Sequence, residues 1–115
     1  MTIERYHTSE KLSKVVIHND TIYLCGQVAD NFDLDIGEQT AQTLSKVDRL
    51  LEEFGSDKTK ILSTMIFVKN TSLISEMNSE WFKWMPKGFA PARACVQAEM
   101  GLPEILVEVT VVAAK

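Results

Sequence analysis

Two charged side chains stand in segments that otherwise read as apolar strands. Arg93 lies in Pro91-Ala-Arg-Ala-Cys-Val-Gln97, and Glu108 lies between Val107 and Val109. Period-two alternation puts Ala92, Ala94, Val96 and Ala98 on one face of the first strand and Arg93, Cys95 and Gln97 on the other. A guanidinium keeps its charge and matches a carboxylate with two parallel N–H donors, so Arg93 is suited to gripping a small acid. A glutamate inside an apolar strand is either paired or functional, and a functional one can orient or deprotonate a water. The strand pattern leaves the plainer alternatives open. Arg93 can instead pair with a neighbouring acid, and Glu108 with Arg93 or a lysine.

The remaining reactive side chains point to less. Cys25 and Cys95 have no CxxC spacing, and nothing marks a secretory context, so both read as free thiols in a reducing cytoplasm. No histidine is placed to activate Cys95, which therefore reads as a residue lining a pocket. Cys25 reads as a packed strand residue. Gly26 beside it is expected to allow a bend or a close backbone approach, with nearby N–H groups free to face a ligand. His7 and His18 lack ligand spacing to cysteines or carboxylates, so no metal site is expected.

Composition narrows the partners. The 115 residues suit one domain spanning 1–115, and 45% hydrophobic with 24% charged residues is the balance of a globular protein. A net charge of −4 with no run of Lys or Arg argues against nucleic acid or an anionic membrane surface as partner. The opening Met-Thr-Ile-Glu-Arg lacks a signal-peptide core, and no apolar run approaches the ~18–20 residues of a membrane helix. A cytoplasmic protein is expected.

The elements that must carry Arg93 and Glu108 follow from local pattern. Residues 1–10 are expected to form a short edge strand or arm. Lys14–His18 and Thr21–Gln27 form a hairpin around Asn19-Asp20. A helix starts at Asp35, with Glu38 three residues on, and carries a stripe of Ala41, Leu44, Val47, Leu51 and Phe54 before Gly55. Lys60–Val68 is a strand. A second helix, capped from Asn70–Ser72, presents Ile74, Met77, Trp81 and Trp84 on one face and ends at Pro86. Met65 and Met77 are expected in the core, and the tryptophans in core or subunit contacts. Ile105–Ala113 is the last strand. The class is α+β, in the order β-β-α-β-α-β-β, with five to six strands in a mixed sheet and two helices on one face. The uncovered face would still carry apolar residues, so the sequence predicts a ring-closed homo-oligomer.

Several stretches, in order, resemble the Rid (reactive intermediate deaminase, YjgF-like) family. They are Cys25-Gly-Gln27, Gln39-Thr-Ala-Gln-Thr-Leu44 ahead of Leu50-Leu-Glu-Glu-Phe-Gly55, Phe67-Val-Lys69, Met77-Asn78, Pro91-Ala-Arg-Ala-Cys-Val96 and Val107-Glu-Val109. The resemblance implies a chorismate-mutase-like fold and a homotrimer with sites in the clefts between subunits. It also implies cofactor-free hydrolysis of imine or enamine acids to 2-keto acids and ammonia. By the same resemblance Arg93 would hold the substrate carboxylate, Glu108 would act on the attacking water, and Cys95, Cys25, Gly26 and Asn78 would line the pocket. Leu12 stands where the family commonly has a tyrosine, and Cys25 replaces the serine of its Ser-Gly-Gln step. These departures give a second expectation: a non-catalytic 2-keto-acid-binding, regulatory or chaperone-like protein of the same fold.

Overall fold

The computed structural model describes residues 2–115. Its chain runs β1 (Ile3–Thr8), β2 (Ser13–His18), β3 (Thr21–Gln27), α1 (Ile36–Glu53), β4 (Ile61–Val68), α2 (Ile74–Trp84), β5 (Ala92–Gln97) and β6 (Val107–Ala114). The strands form one mixed sheet in the order β1-β2-β3-β6-β4-β5, in which only β4 and β5 pair in parallel. The expected N-terminal arm is strand β1, which completes six.

Local chemistry sets the boundaries. The β2–β3 turn is made by Asn19 and Asp20, with Asn19 in the left-handed region (φ 57°) that asparagine tolerates well. Asp35 caps α1 by accepting from the Glu38 N–H at 2.9 Å, which satisfies one of the free donors of the first turn. Gly55 follows the helix with φ +81°, a conformation that β-carbon-bearing residues resist. Asn70 caps a single 3-10 turn, accepting from the Ser72 N–H at 2.9 Å, and that turn leads into α2.

Both helices lie on the same face of the sheet. Leu44, Val47 and Leu51 of α1 and Met77 and Trp81 of α2 form one core with Val15, Ile22, Ile66, Val68, Val107, Val109 and Val111. Fully burying each such side chain contributes roughly 1.5–3 kcal/mol, so this layer dominates stability. Ala41 is an exception to the expected stripe: it is exposed, and the buried positions of α1 shift toward Gln39, Thr40 and Thr43. The Gln39 amide is completely buried. It donates to the carbonyls of Phe32, Leu34 and Glu104 and accepts from the Leu106 N–H at 3.0 Å, joining two loops to the start of β6.

The opposite face has no helix. Strand register places Met65 there with Thr110 and Ala94, so Met65 is 37% exposed and not a core residue. Its position alternates with the buried Thr64 and Ile66, and an almost continuous apolar strand gives no sign of which half faces outward. Tyr23, Leu62 and Val96 are also exposed.

Candidate functional site

β5 is an edge strand, hydrogen-bonded only to β4. Arg93 is opposite Thr64 and Cys95 opposite Ile66, so both side chains lie on the helix-covered face. The Arg93 guanidinium carbon sits 5.1 Å from the centre of the Trp81 ring, and Trp81 is itself buried on α2. An indole face attracts a cation without neutralising it. Trp81 therefore positions the guanidinium while its donors stay available. Arg93 is exposed, and among the described residues the ion pairs are His7–Glu53, Lys46–Asp30 and Lys83–Glu80. Among the described residues, neither Arg93 nor Glu108 has an acid–base partner within the protomer. Cys95 is half-buried, and burial pushes its thiol pKa up, an effect partly opposed by the Arg93 charge. Asn78 lies three residues before Trp81 on α2 and so neighbours it on the helix surface; its buried Oδ1 accepts no hydrogen bond from the described residues.

Glu108 occupies the other face. It is opposite Phe67, which in turn is opposite Val96, so this row is uncovered by helices. With Phe67, Met100 and Gly101 it lines a cleft of about 230 Å³. Its carboxylate also presses on β3. The register of β3 against β6 shifts between Leu24 and Gln27, and at this irregularity a β-carbon on Gly26 would stand only 2.9 Å from Glu108 Cδ. Only glycine admits the carboxylate there, which is the close approach expected of Gly26.

Leu12, Cys25 and Gly26 come together in a separate cleft of about 340 Å³, closed on one side by α1. Buried Gln27 holds this segment by donating to the Cys25 carbonyl at 3.2 Å and contacting its sulfur at 3.3 Å. The candidate residues thus fall into two groups. Arg93, Cys95 and Asn78 belong to β5 and α2, whereas Leu12, Cys25, Gly26 and Glu108 gather around β3 and β6. Strands β6 and β4 separate β3 from β5, three inter-strand steps or about 14 Å. Sequence reasoning missed the Trp81 platform, although its spacing from Asn78 on one helix face was visible. It also missed Gln27, whose amide role depends on the strand irregularity.

The sequence pattern of the family described as Endoribonuclease L-PSP matches residues 2–115. The chain is 44% identical over 114 residues to the RutC family protein YoaB of Escherichia coli, covering 99% of each. Among solved structures it is similar to NMB1025, a member of the YjgF protein family from Neisseria meningitidis. That similarity has 39% identity and a TM-score of 0.96, over all of this chain and 96% of the other. YyfA of the conserved Rid protein family, from Yersinia pestis, is 30% identical with a TM-score of 0.85, over 94% of this chain and 90% of that one. The chain belongs to the YjgF/Rid family. Its fold is the α+β arrangement of that family, with six strands and two helices.

Proposed function

We propose that this protein binds small carboxylates in clefts between protomers and hydrolyses 2-imino and enamine acids to 2-keto acids and ammonia. One observation carries the reading: Arg93, poised on Trp81 without an acid partner among the described residues, is on a different face and a different strand from Glu108 and Gly26. A site that needs both is completed when the β5 edge of one protomer meets the β3–β6 region of another. The exposed Leu62, Met65 and Val96 supply apolar surface for that contact, and the family resemblance supports a closed homotrimer.

In this reading Arg93 fixes the carboxylate through charge-assisted hydrogen bonds. Glu108 removes a proton from water as its oxygen bonds to the imine carbon. That proton passes to nitrogen to give a carbinolamine. Glu108 then carries the carbinolamine hydroxyl proton to the same nitrogen as the C=O forms and the C–N bond breaks, leaving a 2-keto acid and ammonia; an enamine acid enters after tautomerising to its imine. Cys95, with its pKa raised, stays a thiol and lines the pocket. No step calls on a metal or cofactor.

The test generates an enamine acid with a pyridoxal-phosphate lyase and follows 2-keto-acid release with and without this protein. Accelerated release that disappears in Arg93→Ala and Glu108→Gln supports the reading, and full activity in either variant removes that residue's role. Leu12 and Cys25, which lack the hydroxyls common at those family positions, favour a second reading: a 2-keto-acid-binding protein without turnover. Binding abolished by Arg93→Ala, with no acceleration, selects it. The matching family's description raises RNA cleavage, but RNA backbones are held by basic surfaces and this chain carries a net charge of −4.

A further inference from the structure

We infer that the cleft beside Gly26 is an anion subsite that selects substrates carrying a second carboxylate. This deepens the proposed function and rests on it, because the first carboxylate is assigned to Arg93.

The lining of the 340 Å³ cleft runs against the charge of the whole protein. The chain is net negative, yet the cleft carries Lys14 from β2 and Lys46 and Arg49 from α1, with Glu53 as its only acid. Lys46, Arg49, Leu50 and Glu53 recur at three- and four-residue steps, so they form one stripe of α1 turned toward β2 and β3. Glu53 is one turn from Arg49 and would ordinarily pair with it. Instead its carboxylate is bound to the His7 ring at 2.8 Å, on strand β1. Lys46 holds Asp30 at 2.9 Å, and Lys14 and Arg49 form no ion pair among the described residues. The field of Arg49 is felt locally: the Asp30 carboxyl lies below its usual range mainly through its hydrogen bond to Lys46, with a smaller contribution from Arg49.

Two unpaired cations therefore border a concave, partly apolar space whose floor includes Gly26, and Gly26 touches Glu108. Glu108 faces the uncovered side of the sheet and the cleft lies on the α1 side, so a substrate reacting at Glu108 would reach Arg49 and Lys14 by passing the end of β3 at Gly26, the position that carries no side chain. An apolar side chain would leave those cations with nothing to gain. A terminal carboxylate would form charge-assisted hydrogen bonds, and the planar fork of Arg49 suits it. The favoured substrates are then imines of amino dicarboxylic acids.

The experiment compares binding of 2-oxoglutarate and 2-oxobutanoate by calorimetry, at one low salt concentration, in the native protein and in Arg49→Gln and Lys14→Gln. A charge-assisted contact of this kind predicts about tenfold tighter binding of the dicarboxylate, with the ratio falling to about twofold in Arg49→Gln. Equal affinity for the two acids, or an unchanged ratio in Arg49→Gln, overturns the subsite while leaving an Arg93-dependent carboxylate site intact. Binding of neither acid overturns the carboxylate reading of Arg93 as well. Inorganic phosphate that displaces 2-oxoglutarate but not 2-oxobutanoate with comparable affinity overturns the assignment to carboxylates.

Discussion

The carboxylate of Glu108 occupies the space that a side chain on Gly26 would need, with its Cδ 2.9 Å from the position of that absent β-carbon. The obstructing atoms belong to the end of a flexible side chain, so Glu108 can swing aside. Gly26→Ala should therefore cost little stability, within about 1 kcal/mol, while displacing the carboxylate from the water it is proposed to activate. The expected result is a nearly native melting temperature with hydrolysis of imino acids reduced at least about tenfold. Unchanged turnover in Gly26→Ala would show that the position of this carboxylate does not matter.

Arg93 and Trp81 make a separable pair. Arg93→Lys keeps the charge but loses the planar fork, so 2-oxobutanoate binding should weaken about tenfold or more in Arg93→Lys and further in Arg93→Ala. Trp81→Leu removes the ring under the guanidinium and a large buried side chain together. Its folding stability should fall by about 2–4 kcal/mol. The informative comparison is Trp81→Phe, where a retained aromatic face should keep most of the carboxylate affinity. Affinity as poor as in Trp81→Leu would sink the positioning role.

The raised pKa of Cys95 has a definite sign. Less thiolate is present at a given pH than for a free cysteine, so in a Cys25→Ser background alkylation at pH 8 should be slower than for the unfolded chain. Arg93 lowers this pKa, so Arg93→Ala should move the titration midpoint still higher. The thiol's contribution to folding holds below the unfolded cysteine pKa and is lost as pH rises through the folded one. A midpoint that falls in Arg93→Ala would contradict the assignment.

Gln39 should behave as a structural pin. Gln39→Leu leaves the part-buried carbonyls of Leu34 and Glu104 and the Leu106 N–H without their partner, which should cost on the order of 2–4 kcal/mol in chemical denaturation. A loss below about 0.5 kcal/mol would mean that water replaces the amide.

Most of the fold was legible because strong local signals agreed. Asp35 and Asn70 cap where short polar side chains should, Gly55 follows its helix, and alternation in β6 correctly separated Glu108 from Val107 and Val109. Met65 was misplaced because a nearly continuous apolar strand does not reveal which side meets a partner layer, and Ala41 because the polar Gln39, Thr40 and Thr43 around it take the buried positions of that turn. Arg93 and Glu108 were both recognisable as unusual charges. Their separation onto opposite faces was not, because it follows from the registers of β5 and β6 against β4, set by long-range pairing that no local spacing encodes.

The uncovered face gives a direct test of assembly. Met65→Asp or Val96→Asp places a charge in the apolar patch, and light scattering should report a single-chain mass with the far-ultraviolet spectrum retained. An unchanged oligomer would remove this face as the contact.

Because the two groups of site residues are divided between the margin and the middle of the sheet, dead variants should rescue one another. Co-expressed Arg93→Ala and Glu108→Gln chains that close into mixed threefold rings would recreate roughly a quarter of the sites with both residues intact. A single damaged copy mixed with the native chain would then silence sites only in proportion to its share of the subunits. Two differently damaged copies would be healthier together than either alone.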